Sequence, residues 1–275
     1  MKNYIIWILA ILITISAAYY QRRTGPTYPR KITSDFAGRT SGITLPRSHE
    51  TDENCPVILN IPDHSVSGKI IYRPYPSVKP WDTLIMNRHG DTLEAGLPAQ
   101  PPAGKLAYQI LLTDKDRQVI LPADEPVVIR FKGHVPASVL VPHIFVMFFA
   151  MLLSSVAGLM AVWKKPRFKL YAWLTLIFLI VGGGILGPLV QKHAFGDLWT
   201  GIPFGWDLTD NKTLIALVMW IVAVFMSRRD KGYGWVIAAS VVLLLVYSVP
   251  HSLFGSQFNY ETGEIIQGII RPLII

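Results

Sequence analysis

Three histidines stand near the ends of long apolar segments, where a membrane protein can place side chains that do chemistry. His143 and His251 each follow a Val-Pro pair, and His193 begins a polar connection. A proline in or beside a span frees a backbone carbonyl and bends the helix. Imidazole is the commonest ligand of protein-bound metals and also binds haem iron, so we expect these three histidines to form a cofactor site. The alternative is three hydrogen-bonded imidazoles at the membrane surface, where polar groups cost little.

Two methionines extend the first histidine into a candidate metal-binding face. His143, Met147 and Met151 recur every four residues, which places them on one side of a helix. Imidazole and thioether together suit copper or haem iron. These residues are therefore candidate metal ligands together with His193 and His251. Packing against neighbouring helices is the alternative role for both methionines.

Residues 187–213 form a long polar connection inside the apolar second half of the chain. Connections carry function more often than the elements they join. Its acids can orient a ligand histidine from behind, or they can serve as loop and helix-cap residues. Its tryptophans suit an aromatic belt at the membrane surface, or a platform for a substrate such as a quinone. The residues concerned are Asp197, Asp207, Asp210, Trp199 and Trp206.

Apolar runs and short alternating runs are the elements that must position these residues. Hydrophobic residues make up 51% of the 275 positions, more than a soluble protein normally carries. We therefore predict an α+β membrane protein with an N-terminal anchor helix, an extracytoplasmic β-sandwich and a four-helix transmembrane bundle, five spans in all. The predicted spans are residues 1–20, 136–163, 170–192, 211–227 and 233–254. The predicted connections are cytoplasmic loops at 164–169 and 228–232, an extracytoplasmic loop at 193–210, and an extracytoplasmic tail at 255–275.

The polar first half divides into a linker and a β domain. Residues 21–54 are rich in Arg, Ser, Thr and Gly without a period, which predicts a linker. Residues 55–135 consist of short alternating runs bounded by turn residues, which suit an antiparallel β-sandwich. The order GKIIYRPYP, then Trp81 with Met86, then LPAQPPAGKLAYQILLTD resembles fibronectin-III or immunoglobulin-like modules. The resemblance implies a binding or spacer module, with Trp81 and Tyr108 as core aromatics.

The basic residues give the expected orientation and argue against a nucleic-acid partner. Lys and Arg number 26 against 18 Asp and Glu, a formal net charge of +8. The positive charges cluster in KKPRFK at 164–169 and SRRDK at 227–231, where anchoring of spans explains them. We expect these loops in the cytoplasm of a bacterium, and the β-sandwich and C-terminus outside its inner membrane. The single Cys55 excludes an internal disulfide.

Two functions fit this organisation. The first is a redox or metal-handling protein with haem b or copper at the three histidines. An outer β-sandwich followed by a His-bearing helical bundle resembles the layout of fused copper-resistance membrane proteins, and a b-type cytochrome is a second analogy. The alternative is a non-catalytic assembly or scaffold subunit that binds a membrane or periplasmic partner through the β-sandwich. GxSxG, HExxH and phosphate-binding glycine loops are missing from the sequence, so no motif indicates a hydrolase or a nucleotide-dependent enzyme.

Overall fold

The protein divides into two compact units in the computed structural model, which describes residues 2–36, 39–115, 117–228, 232–251, 253 and 255–266. The helix unit comprises residues 2–26 and 135–255, and the β unit comprises Thr27–His134 and Ser256–Ile266. The chain therefore leaves the helix unit after its first helix, forms most of the β unit, and returns. The described part ends again in the β unit.

The helix unit contains helices of membrane-spanning length. Four helices among the described residues are long and apolar enough to cross a bilayer, if Phe168–Phe195 is taken as one continuous helix. These helices, together with the β-sheets, confirm the mixed α+β class. The shorter apolar helix Tyr233–Ser248 has 16 residues. The helices are α1 (Asn3–Thr24), α2 (Ala137–Val162), α3 (Phe168–Leu179), a π-helical turn (Ile180–Leu186), α4 (Gly187–Phe195), α5 (Leu208–Ser227) and α6 (Tyr233–Ser248).

Small residues let α2 and α6 approach each other closely. A Cβ atom added to Gly158 of α2 would lie 2.6 Å from Oγ of Ser240 in α6. The same hydroxyl donates to the carbonyl oxygen of Ser154 at 2.9 Å. Membrane helices pack in this way because lipid gives no hydrophobic drive to bring them together, so close contact and interhelical hydrogen bonds must do so.

The β unit packs two sheets around one hydrophobic core. The strands are β1 (Arg30–Phe36), β2 (Arg39–Leu45), β3 (Ser48–Glu50), β4 (Cys55–Asn60), β5 (Val66–Pro74), β6 (Asp82–Ile85), β7 (Asn87–His89), β8 (Thr92–Leu97), β9 (Lys105–Asp114), β10 (Arg117–Leu121), β11 (Val127–Lys132), β12 (Gln257–Phe258) and β13 (Ile265–Ile266). The larger sheet has the strand order β3-β11-β9-β5-β6, with β10 also paired to β9, and the smaller has the order β4-β8-β7. Strand β3 runs parallel to β11, whereas β9 pairs antiparallel with β5, β10 and β11.

Alternation along the strands builds this core. Strand β4 buries Cys55, Val57 and Leu59, while Ile58 between them is 53% exposed. Burial raises the pKa of the Cys55 thiol to about 11, so the thiol stays protonated and unreactive at neutral pH. Tyr108 is fully buried in the same core, at a position where the sequence predicted a core aromatic.

The linker predicted over residues 21–54 differs from the structure. Helix α1 continues to Thr24, and three strands follow before residue 54. Strands β1 and β2 form an antiparallel hairpin that pairs Ile32 with Ile43. Ile43 and Leu45 alternate along β2 and are buried in the core of the β unit. The many Arg, Ser and Thr residues between these few apolar positions concealed the alternation.

The segment predicted as an extracytoplasmic tail also has structure in its first part. Strands β12 and β13 form a short antiparallel hairpin that belongs to the β unit. The amide of Phe258 donates to the carbonyl of Ala103 at 3.1 Å, which joins the hairpin to the loop before β9. Residues 267–275 of the predicted tail lie outside the described residues.

Candidate functional site

Polar side chains gather at the end of the helix unit where α1, α4 and α6 end and where α2 and α5 begin. This end, with the connection 196–207, is hereafter the loop end, and the opposite end is the turn end. Asp207, Asp210 and Lys212 are buried there. A buried charge is costly unless it is paired or hydrogen-bonded, so the partners show what each charge does. The loop-end cluster consists of Gln21, His143, Gln191, Thr200, Asp207, Asp210, Lys212 and His251.

His143 is fixed by the π-helical turn that follows α3. Its Nδ1 lies 3.0 Å from the carbonyl oxygen of Gly182. A carbonyl only accepts, so Nδ1 carries the proton and Nε2 keeps its lone pair. Glycine at position 182 lets the turn approach α2 closely, because an added Cβ would lie 2.6 Å from the sulfur of Met147. His143 and Met147 therefore both hold the same turn, and π-helical turns of this kind are frequent at functional sites.

His251 is held in the opposite tautomer. Its Nδ1 lies 2.6 Å from Nε2 of Gln21. The amide nitrogen donates, so Nδ1 accepts and the proton of the neutral ring is on Nε2. The two rings thus offer one hydrogen-bond acceptor and one donor through their Nε2 atoms, whereas metal ligation by both Nε2 atoms needs a lone pair on each.

Two aspartates organise the loop end and the start of α5. Asp207 is the N-cap of α5, and its carboxylate accepts from the amides of Thr209 and Asp210. Asp210 accepts from the Thr200 amide and hydroxyl, from the Gly201 amide at 3.1 Å, and from Gln191 at 3.0 Å. The alternative role that the sequence offered for these acids, as loop and cap residues, accounts for their bonds. The carboxylates accept from backbone amides and, at Asp210, also from the side chains of Gln191 and Thr200, and their role behind a ligand histidine stays a prediction.

Lys212 supports the end of α6. Its Nζ donates to the carbonyl of Val249 at 2.8 Å and lies 3.5 Å from the carbonyl of Pro250. The last carbonyls of a helix have no partner within the helix. At the depth of a membrane they must be satisfied by protein or by water. A buried ammonium, 6% exposed, supplies the donor here and also complements the negative end of the helix dipole.

The structure gathers some of the candidate ligands and separates others. His143 and His251 belong to one polar cluster, at whose exposed edge His251 lies, whereas His193 is exposed in the last turn of α4 outside that cluster. Met151 is 2% exposed and lies in the core of the helix unit, which matches its alternative packing role. Within the described residues, no group of three His, Cys, Asp or Glu side chains is arranged to hold a metal ion. The haem or copper site stays a prediction.

The remaining loop residues lie at the surface. Asp197 is exposed, and Trp199 donates its indole N–H to the carbonyl of Ile202 at 3.1 Å. Trp206 is 69% exposed and Phe204 is 77% exposed. Exposed aromatic rings at a helix end suit the headgroup level of a membrane, so the belt interpretation fits the placement of Trp206 better than a closed substrate platform.

The sequence patterns did not indicate four members of the loop-end cluster as site residues. They are Gln21, Gln191, Thr200 and Lys212. A lysine in the second turn of an apolar helix is expensive in a membrane unless it is paired, so the position of Lys212 was a usable signal. Gln21 and His251 are 230 positions apart, and nothing local in the sequence links them.

A second candidate site is the outward surface of the larger sheet, hereafter the open face. Ile110 is fully buried, so the positions that alternate with it along β9 point outward. One outward row crosses four strands. At its two ends Ile85 is 71% exposed and Ile120 is 44% exposed. In order across the sheet, the row is Ile120, Leu111, Lys69 and Ile85.

The next outward rows add an aromatic ring and a second cation. The guanidinium of Arg73 lies 4.5 Å from the centre of the Trp81 ring. Trp81 is half-buried on this surface, which differs from its expected place in the core. The charged side chains beside the row of exposed isoleucines, Lys69 and Arg73, are both basic. The surface therefore combines exposed apolar groups with positive charge, and such patches on a domain surface mark interaction sites.

The β12–β13 hairpin covers one end of the open face. The carbonyl of Ser256 accepts from Arg130 at 2.8 Å, and Gln257 accepts from Nζ of Lys105 at 3.3 Å. The Tyr260 hydroxyl donates to the carbonyl of Lys105 at 2.9 Å. Burial and the neighbouring Arg130 charge lower the pKa of Lys105 to about 8. This end of the face thus already accommodates an extended peptide segment.

The helix unit therefore contains a polar cluster whose side chains hydrogen-bond to one another and to helix ends. The β unit has an exposed surface that is apolar and basic. The cluster holds helix ends and a loop together, with two imidazole Nε2 atoms left outside the bonds that fix the rings. No protein-family model, curated protein or solved structure matches this sequence.

Proposed function

We propose that this protein is a non-catalytic scaffold of a bacterial inner membrane, which binds an extracytoplasmic partner through the open face of its β unit. The observation that carries the proposal is the row with Ile85 at one edge, 71% exposed, beside the basic side chains of Lys69 and Arg73. An isoleucine so exposed on a sheet edge invites association, since edge strands offer unpaired backbone groups as well as apolar contact.

The strand order supports an immunoglobulin-like classification of the β unit. In such sandwiches the three strands C, F and G form one sheet, while B, E and D belong to the other. Here β5, β9 and β11 take the places of C, F and G, and β4, β8 and β7 take those of B, E and D. Domains of this architecture present flat sheet faces and loops to partners, and the fold by itself implies no reaction.

The return of the chain to the β unit supports five membrane crossings. Residues before α2 and residues after α6 belong to the same compact unit, so they must lie on one side of the membrane. This requires an even number of crossings between them. Helices α2, α3–α4 and α5 supply three, so α6 must supply the fourth. Its 16 residues extend only about 24 Å, and Lys212 supplies the donor that a buried helix end needs.

The basic residues support the orientation. Lys164, Lys165 and Arg167 lie between α2 and α3, and Arg228 follows α5, all at the turn end. Short loops rich in Lys and Arg stay in the cytoplasm. The loop end, the β unit and the residues after α6 then lie outside the cytoplasm.

The chemistry of the open face defines the partner. Apolar side chains at Ile85, Leu111 and Ile120 call for an apolar contact, and Lys69 with Arg73 call for carboxylates near it. Complementary charge raises the rate and specificity of association, while the buried apolar groups supply most of the affinity. We therefore expect a periplasmic protein or periplasmic domain with an apolar patch bordered by Asp or Glu.

Paired isoleucine variants test the proposal. Ile85→Arg places a charge at the most exposed apolar position of the proposed contact, and Ile58→Arg is the matched control, because Ile58 is similarly exposed on the smaller sheet. Full-length proteins are purified from cross-linked membranes in mild detergent and their complexes are sized. We expect one defined complex with wild type and Ile58→Arg, and its loss, by at least tenfold, with Ile85→Arg. Equal recovery from both variants, or monodisperse free protein in every case, would contradict the proposal.

A further inference from the structure

The turn end of the helix unit carries a constellation that the scaffold function does not use. Arg228 caps the end of α5, and its guanidinium lies 5.6 Å from the ring centre of Trp173 on α3. The same guanidinium lies 5.7 Å from the ring centre of Phe225. Lys169 stands four residues before Trp173, on the same side of α3. One guanidinium and two aromatic rings from neighbouring helices thus meet here, and Lys169 stands one helical turn from Trp173 toward the turn end.

The surface below these cations is apolar and turned outward. Trp173 is 41% exposed and Phe225 is 61% exposed. One helical turn deeper, Ile177 on α3 is 49% exposed and Ile221 on α5 is 52% exposed. Because α3 and α5 run in opposite directions, these two isoleucines lie on the same side of the ring pair. The surface is therefore layered from cations through aromatic rings to aliphatic side chains.

We propose that this constellation, hereafter the α3–α5 groove, binds the headgroup and one acyl chain of an anionic phospholipid. The order of its layers matches the order of groups in the lipid, which has a phosphate, then the glycerol esters, then the hydrocarbon chain. Arg228 and Lys169 face the phosphate, the rings border the ester level, and Ile177 with Ile221 contact the acyl chain. Arginine suits the phosphate because its planar donors engage two oxygens at once, and its stacking on a ring orders it beforehand.

Charge selects an anionic over a zwitterionic lipid. The stretches 163–179 and 214–228, which build this end of α3 and α5, contain no Asp or Glu and include Lys164, Lys165 and Arg167 as further positive charges. In the sequence after Arg228, the acid Asp230 stands between two bases. Basic groups between membrane helices at the cytoplasmic surface bind anionic headgroups, each contributing about fivefold in affinity. A zwitterionic headgroup carries its own ammonium and gains much less here.

Lipid retention by the full-length protein tests the groove. Wild type and variants are placed in nanodiscs of phosphatidylglycerol or of phosphatidylcholine, transferred to detergent, and weighed with their retained lipids by native mass spectrometry. We expect wild type to retain phosphatidylglycerol preferentially. Lys169→Gln and Arg228→Gln should each weaken that preference about fivefold, and Arg228→Lys should keep most of it. Lys192→Gln removes an exposed lysine of the loop end and should leave the preference unchanged.

Several results would overturn the proposal. Equal retention of the two lipids by wild type would remove the selectivity, and an equal loss in Lys192→Gln would reduce it to net charge. Competition by millimolar inorganic phosphate alone would show an ion site without an acyl chain. If Arg228→Gln does not fold, Lys169→Gln still decides the outcome. The result is independent of the open face, because Ile85→Arg should retain phosphatidylglycerol as wild type does.

Discussion

At the scale of single residues, the buried charges of the helix unit act on backbone groups. Asp207 and Asp210 satisfy amides of the loop end and of the first turn of α5, and Lys212 satisfies carbonyls after α6. Each charge thereby offsets its own burial with hydrogen bonds that the membrane does not supply. Their types are dictated by the groups they meet, because amides need acceptors and carbonyls need donors.

Lys212→Met should destabilise the helix unit by about 2 kcal/mol, since charged hydrogen bonds to buried acceptors have this magnitude. The carbonyls of Val249 and Pro250 would lose the Lys212 donor, while the methionine fills a similar volume. Thermal unfolding of the full-length protein in detergent measures the change. Lys192→Met, an exposed lysine of α4, is the control and should melt as wild type does. Equal melting of Lys212→Met and wild type would show that the ammonium contributes nothing to the end of α6.

Lys105 should make the stability of the β unit depend on pH. Its pKa is lowered from 10.5 to about 8 by burial and by Arg130, so the folded chain releases this proton more easily than the unfolded chain. Stability rises with pH wherever the unfolded state holds more protons, and that window lies between about pH 8 and 10.5. The melting temperature of wild type should therefore rise relative to that of Lys105→Met across this window. Lys69→Met, an exposed lysine of the same sheet, should follow wild type, and parallel curves for Lys105→Met and wild type would refute the assignment.

At the scale of elements, close helix contacts rather than helix length decide the packing. Helix α6 is short for a span, yet it meets α2 at the contact between Gly158 and Ser240. The π-helical turn after α3 likewise brings Gly182 close to the side chains of His143 and Met147 in α2. Gly158 and Gly182 thus each mark a close contact with a second helix.

Gly158→Ala should separate α2 and α6 and lower stability by about 1–3 kcal/mol, the usual cost of overpacking. Its new Cβ would meet Oγ of Ser240 at 2.6 Å. Gly184→Ala is the matched control, because no atom lies within 4 Å of a Cβ added there. Thermal unfolding in detergent compares the two variants. A Gly158→Ala protein that melts no lower than Gly184→Ala would show that the contact yields freely.

Membrane helices were predictable because their signal is local, whereas the contacts that complete them are not. The run 136–163 predicts α2 almost to the residue, since only a long apolar stretch suits a bilayer. Helix α5 begins earlier than predicted, because Asp207 caps it at a position that reads as loop. The hairpin β12–β13 takes its form from the sheet end that it covers, and its partners Lys105 and Arg130 are more than a hundred positions away.

At the scale of the whole molecule, connectivity limits how the chain can be threaded through a membrane. The β unit is joined to the helix unit by α1, by the segment before α2, and by the segment after α6. All three connections lead into the same compact unit.

The side of the membrane on which the β unit lies decides which partners can reach the open face. A reporter enzyme that is active only outside the cytoplasm, inserted after Lys132 or after Ile266, should be active in both places. Insertions after Lys165 and after Asp230 should be silent, because those loops carry the basic charges of the turn end. The opposite pattern would put the open face in the cytoplasm and exclude a periplasmic partner. Activity after Lys132 with silence after Ile266 would show that α6 does not cross, and would contradict the five-span arrangement that presents the open face.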